Sequence, residues 1–148
     1  MNQLKEIFYT IDTMMISCNI DYNELKVLNI DTHFFENYSN TRIVNSFLFN
    51  YSKIQDKIGA KLFRKVLYEE KEIDDESLPM KDILNLLEKL KIIDHSYDWD
   101  RLREIRNNLA HEYPFDTQER VENILLALEG FEIVSVIYNN IKKRIRYC

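Results

Sequence analysis

Apolar residues recur every three or four positions along most of the chain, which is the signature of amphipathic helices. Leu4, Ile7, Phe8, Ile11 and Met15 predict a first helix over 2–17. Residues 18–39 are less regular. Asp21, Asn23, Asn29 and Asp31 favour caps and turns there, while Leu25, Val27 and Leu28 leave room for a short second helix. A long helix is predicted over 41–68 from Ile43, Phe47, Tyr51, Ile54, Ile58 and Leu62. Gly59 lies inside it, at a cost of ~1 kcal/mol against Ala. Two readings stay open for that glycine: a close helix crossing, or a tolerated defect.

The acidic run Glu69, Glu70, Glu72, Asp74, Asp75 and Glu76 reads as a solvated connector, with a basic partner as the remote alternative. Ser77 and Pro79 open a helix over 80–92, since proline suits a first turn. Asp98 is a candidate cap for a helix over 99–112, which Pro114 terminates. Asp116 and Glu119, three apart, form a capping-box-like start to a last helix over 118–145. Its candidate core positions are Val121, Ile124, Leu128, Phe131 and Ile141.

Composition sharpens this. Two glycines and two prolines are too few for the turns of a β-sandwich or barrel, so the fold class is all-α. The 148 residues suit one domain, 1–148, with neither an internal repeat nor a dividing linker. The net charge of −5 argues against broad electrostatic binding of nucleic acid, so any RNA contact must be local or supplied by an assembly. Cys18 and Cys148 fit no metal or redox motif and read as free thiols of a reducing cytoplasm. No run approaches ~18 consecutive apolar residues, so no membrane span is expected, and the N-terminus does not read as a secretory signal. The three histidines have no metal-ligand spacing. His33, beside Phe34 and Phe35, reads as a core or turn residue, and His95 as a loop residue.

The chemistry concentrates in Arg106-Asn107-Asn108-Leu109-Ala110-His111-Glu112-Tyr113. On a helical wheel, Trp99, Leu102, Ile105 and Leu109 share the core face, with Arg106 at its edge. Arg103, Asn107 and His111 form one row at i, i+4, i+8. Ala110 is small and leaves space among these polar groups. Histidine exchanges protons near neutrality. Arginine presents a fork that suits phosphate oxygens and a developing phosphorane charge. Asn107 can orient a hydroxyl or the imidazole. Together they suit attack of an RNA 2′-hydroxyl on its own phosphate without a metal or other cofactor, a reaction closed to DNA. Arg106 and His111 are five apart and diverge by roughly 140° on a straight helix. A distorted helix end, or a two-fold homodimer contributing both copies, brings them together. The plain alternative is Arg106 in an ion pair and His111 bonding the last carbonyls of its helix.

The string RNNLAHEYP resembles the signature of HEPN domains in their HepT-like branch: Arg, a polar residue, three more, then His, any residue and Tyr. The lead-in Trp99-Asp100-Arg101-Leu102-Arg103 is similar to that branch, as is the earlier helix with Tyr51, Gln55-Asp56, Gly59-Ala60 and Leu62-Phe63. The resemblance spans about 41–141, whereas residues 1–39 match nothing in it and are either an added helical segment or a divergent first helix. It implies an up-and-down antiparallel helical bundle that forms a homodimer, with the Arg–His motifs of both copies lining the dimer cleft. It implies a metal-independent endoribonuclease, the toxin of a toxin–antitoxin pair acting on RNA, possibly tRNA. Arg106 and His111 would be catalytic and Asn107 supporting. The implied partner is a minimal nucleotidyltransferase antitoxin that attaches AMP to the motif tyrosine, Tyr113. Arg101 and Arg103 are candidate RNA contacts beside Arg106. Lys142, Lys143, Arg144 and Arg146 form either a basic tail or an ordinary cation-rich helix end. The alternative function is a non-catalytic substrate-binding or regulatory subunit of that nucleotidyltransferase.

Overall fold

The computed structural model describes residues 3–109 and 116–146, and these are helical with short connections and no strand. The order is α1 (Gln3–Lys26), a 3-10 turn (Phe34–Glu36), α2 (Tyr38–Lys57), a π-helical segment (Ile58–Leu62), α3 (Phe63–Glu69), α4 (Met80–Lys89), α5 (Ser96–Leu109) and α6 (Thr117–Arg146).

α1 continues well past residue 17. Cys18 and Leu25 extend the buried face of Leu4, Ile11 and Met15. Asp21 and Asn23 do not break it, because tertiary partners outweigh their local preference. Asp21 Oδ2 accepts a 2.5 Å hydrogen bond from Ser46 Oγ on α2. Tyr22 packs on Phe131 of α6 and donates to Glu132, and Lys26 donates to the same carboxylate at 3.1 Å. The second short helix considered near Leu25 is absent; Leu25 is the buried end of α1. Cys18 packs as a small apolar group, and burial pushes its thiol up to about 12.

The predicted long helix runs from Tyr38 to Glu69 as α2, the π segment and α3 in succession. Asn37 caps its start by accepting from the Ser39 N–H at 2.9 Å. In the π segment the Phe63 N–H reaches back five residues to the Ile58 carbonyl. Gly59 sits there for the crossing: a Cβ on it would lie 3.2 Å from Trp99 Cζ2 of α5. Lys71 and Lys91, at φ 62° and 61°, end α3 and α4 in left-handed turns, the latter earlier than the predicted limit of 92. α5 starts three residues before the predicted 99, with Asp98 inside its first turn; the His95 carbonyl accepts the Asp98 N–H at 3.1 Å. Asp116 Oδ1 accepts from the Gln118 N–H and starts α6 as expected.

Four long helices make the bundle, each antiparallel to a neighbour. Asp21 of α1 meets Ser46 of α2, while Ile7 and Thr10 share a groove with Lys57 and Lys61. On the other side of α1, Tyr22 meets Phe131, and Asp12 meets Tyr138 and Lys142 of α6. α5 closes the bundle between α6 and the long helix, where Trp99 meets Gly59, with α4 beside it. The centre is aromatic. Phe47 stacks on Tyr51 at 5.9 Å, and Phe131 meets both edge-on. Thr117–Ile145 is long enough to cross a membrane and contains an apolar stretch, but half of that stretch is buried inside the bundle. Two cations of the C-terminal cluster are held within the fold, Lys142 by Asp12 and Arg144 by Glu70.

Tyr51 is fully buried and its hydroxyl has no hydrogen-bond partner among the described residues, and a Cβ on Gly130 would lie 2.4 Å from that oxygen. Gly130→Ala is therefore expected to lower stability by about 1–2 kcal/mol despite alanine's better helix propensity. Tyr51→Phe should be neutral or stabilising, because it removes an unpaired buried hydroxyl. The double variant should recover most of the loss in urea unfolding. An undiminished loss would place the clash elsewhere.

Candidate functional site

α5 is positioned by Trp99. Its indole is 1% exposed, lies against the Gly59 backbone and meets the Phe63 ring edge-on at 4.6 Å. Leu102 and Ile105 continue that buried face, as the wheel predicts, Leu102 lies beside Gly130 of α6, and Leu109 packs against the core. Beside Trp99, at the edge of this buried face, α5 faces the π segment across an open cleft of about 480 Å³ that the indole also lines. Arg103, Arg106 and Asn107 line it from α5, and Gln55, Asp56, Gly59, Ala60 and Arg64 line it from the long helix.

Three of the six predicted site residues are thus brought together. Arg101 is on the other side of α5, 3.4 Å from Glu129 of α6, and does not line the cleft. His111 and Tyr113 lie outside the described residues, as do Ala110 and the Pro114 stop.

Arg106 is held by a two-point fork. Its Nε donates to Asp56 Oδ1 at 3.2 Å and its Nη2 to Asp56 Oδ2 at 3.0 Å. This is the ion pair that the plain reading of Arg106 anticipates. The side chains are 29% and 52% exposed, so water screens the pair and its contribution to stability is small. Arg103 has only a loose contact with Asp100, at 3.7 Å. The cleft therefore offers one arginine held in a carboxylate fork and another nearly unengaged.

Sequence reasoning singled out neither Gln55 nor Arg64 as site residues, and quoted Asp56 only within the family-like string. Gln55 is 2% exposed, lines the cleft, and its Oε1 has no partner among the described residues. Its signal was a polar residue inside the stripe Tyr51, Ile54, Ile58. Arg64 donates to the carbonyls of Glu76 and Leu78 at 2.9 Å and of Gly59 at 3.3 Å. It ties the acidic connector to the π segment, and the Lys65–Glu76 pair at 3.2 Å adds to the strap. This ties down the Glu76–Leu78 end of the connector, while Glu69, Glu72, Asp74 and Asp75 are exposed, as a solvated loop requires. No three His, Cys, Asp or Glu side chains converge among the described residues.

No protein-family model matches the chain, and no curated protein or solved structure is significantly similar to it.

The geometry separates what holds α5 from what faces the cleft. Asp56→Ala should change the unfolding free energy by less than ~1 kcal/mol, whereas Trp99→Ala should cost ~3–5 kcal/mol. Urea titration of both variants checks this, and a loss from Asp56→Ala comparable to that from Trp99→Ala would make the ion pair the anchor of the helix.

Proposed function

We propose that this chain is a HepT-like ribonuclease toxin that cleaves RNA through Arg106 and His111, without a metal. The observation that supports it is the placement of Arg106 and Asn107 on one wall of a cleft, with the Arg106 fork on a half-exposed carboxylate. A phosphate presents oxygens to that fork as a carboxylate does, so an RNA phosphodiester can take the place of Asp56. In the proposed reaction His111 removes the 2′-hydroxyl proton, the 2′-oxygen attacks the adjacent phosphorus, and the bond to the 5′-oxygen breaks. The 5′-oxygen leaves with a proton given back by the histidinium, and a 2′,3′-cyclic phosphate remains. Arg106 balances charge on the non-bridging oxygens, and Asn107 orients the attacking group. A two-fold dimer supplies both copies of the motif to one cleft. A partner nucleotidyltransferase would silence the toxin by transferring AMP to Tyr113 and releasing pyrophosphate.

A second reading has its own observation. An arginine already satisfied by Asp56 suits a structural role, as in a non-catalytic subunit that binds or regulates a nucleotidyltransferase. Expression of the chain alone separates the two. Wild type should arrest growth and cut total RNA, while Arg106→Ala and His111→Ala, folded to the same melting temperature, should do neither. Equal toxicity of the folded variants would remove the chemistry from these residues. Soluble wild type without effect on growth or RNA would favour the partner-subunit reading.

A further inference from the structure

The cleft at Arg106 is one end of a longer trough. A second groove, of about 580 Å³, lies on the other side of the π segment, between it and the start of α1. Lys57, Lys61, Arg64 and Lys65 line it, opposite Glu6, Ile7 and Thr10, with Glu76 at its edge. Ala60 and Arg64 line both grooves, so the two meet over the exposed methyl group of Ala60.

Charge distinguishes this trough from the rest of the surface. Its walls carry six cations (Lys57, Lys61, Arg64, Lys65, Arg103 and Arg106) against three carboxylates (Glu6, Asp56 and Glu76), a local balance of +3 on a chain of net charge −5. Arg64, Lys65 and Arg106 are engaged with Glu76, Asp56 and backbone carbonyls. Lys57 and Lys61 are in no ion pair among the described residues. Two unpaired ammonium groups one helical turn apart, in a concave and otherwise acidic molecule, focus potential on a polyanion. Inside the neighbouring cleft, buried Gln55 holds an unpartnered carbonyl oxygen, an acceptor suited to a base amine or a ribose hydroxyl.

We propose that this trough is the track of a single RNA strand. The strand runs from the Arg103–Arg106–Asn107 cleft across Ala60 to Lys57 and Lys61, which hold its phosphates. The proposal rests on the reading that the chain acts on RNA, and it gives that reading a binding site outside the reacting group. The wide turn of the π segment is what presents Lys57, Ala60, Lys61 and Arg64 to the grooves while Gly59 remains against Trp99. Local π-helical turns are frequent at functional sites for this kind of re-aiming.

Binding is tested apart from cleavage with a fluorescent 2′-O-methyl oligoribonucleotide of about 12 nucleotides, within the usual range for single-strand sites. It has no free 2′-hydroxyl and cannot be cut by the proposed route. Lys57→Glu/Lys61→Glu should weaken binding about tenfold or more and reduce the slope of log K against log salt by about 1.4, at ~0.7 per phosphate contact on a single strand. Lys89→Glu/Lys91→Glu, the same charge change on exposed lysines at the end of α4, should leave both unchanged. Melting temperatures confirm that each variant is folded. Wild-type affinity and slope in the Lys57/Lys61 variant would overturn the track, as would equal loss in the control pair or no binding by wild type. Cleavage of unmodified RNA by wild type is scored separately. Cutting with binding unaffected by the Lys57/Lys61 change defeats the track alone, and weakened binding without any cutting defeats the ribonuclease reading alone.

Discussion

The contact of the Trp99 indole with the Gly59 backbone is the constraint on which the arrangement of the bundle turns. A Cβ on Gly59 would lie 3.2 Å from the buried ring and push it back by a few tenths of an ångström, and Gly59 lies in the segment where the long helix widens. With Trp99 seated, α5 is fixed in rotation as well as in depth. Leu102 then meets α6 at Gly130, and Arg103, Arg106 and Asn107 face the cleft. The polar face is what remains once the apolar face has been committed.

Polar groups around this contact divide by exposure. Where ion pairs cross between elements near solvent, as at Arg106–Asp56 or Lys26–Glu132, screening leaves them weak and easily exchanged. Where polar atoms are deeply buried, as at Tyr51 and Gln55, two are without partners. Tyr138 is satisfied instead, through Asp12, and that carboxylate together with burial pushes its hydroxyl well above the usual phenol range. The Arg106 fork belongs to the first class, which is what the proposed exchange of Asp56 for a phosphate would require.

Much of the fold was legible because helices bury residues at fixed spacing, and here the spacing is clear. The long helix, α6 and the buried face of α5 follow from periodicity, and the rarity of glycine and proline excludes the β alternatives. The extent of α1 was not legible. Its apolar residues are spread over two sides: Tyr9, Ile16 and Ile20 face solvent while Leu4, Ile11 and Leu25 are buried, so its pattern blurs past residue 17. The π segment was visible only as an unexplained Gly59. The cleft was half legible: Arg103, Arg106 and Asn107 belong to one helix and follow from its wheel. Asp56, fifty positions away, is brought to Arg106 by the depth and rotation of a helix crossing, which no local pattern encodes.

The π segment also makes the long rod a pair of helices set at different phase. Residues before Ile58 and after Leu62 each keep ordinary α-helical spacing, but the angular offset between the halves is set by the five residues that join them. Since one residue corresponds to about 100° of rotation, the offset is all-or-none. Side chains along the rod can therefore drift one at a time under selection, while a single-codon insertion or deletion between the halves would turn one end against the other. Length, more than residue identity, is the inherited quantity at this joint.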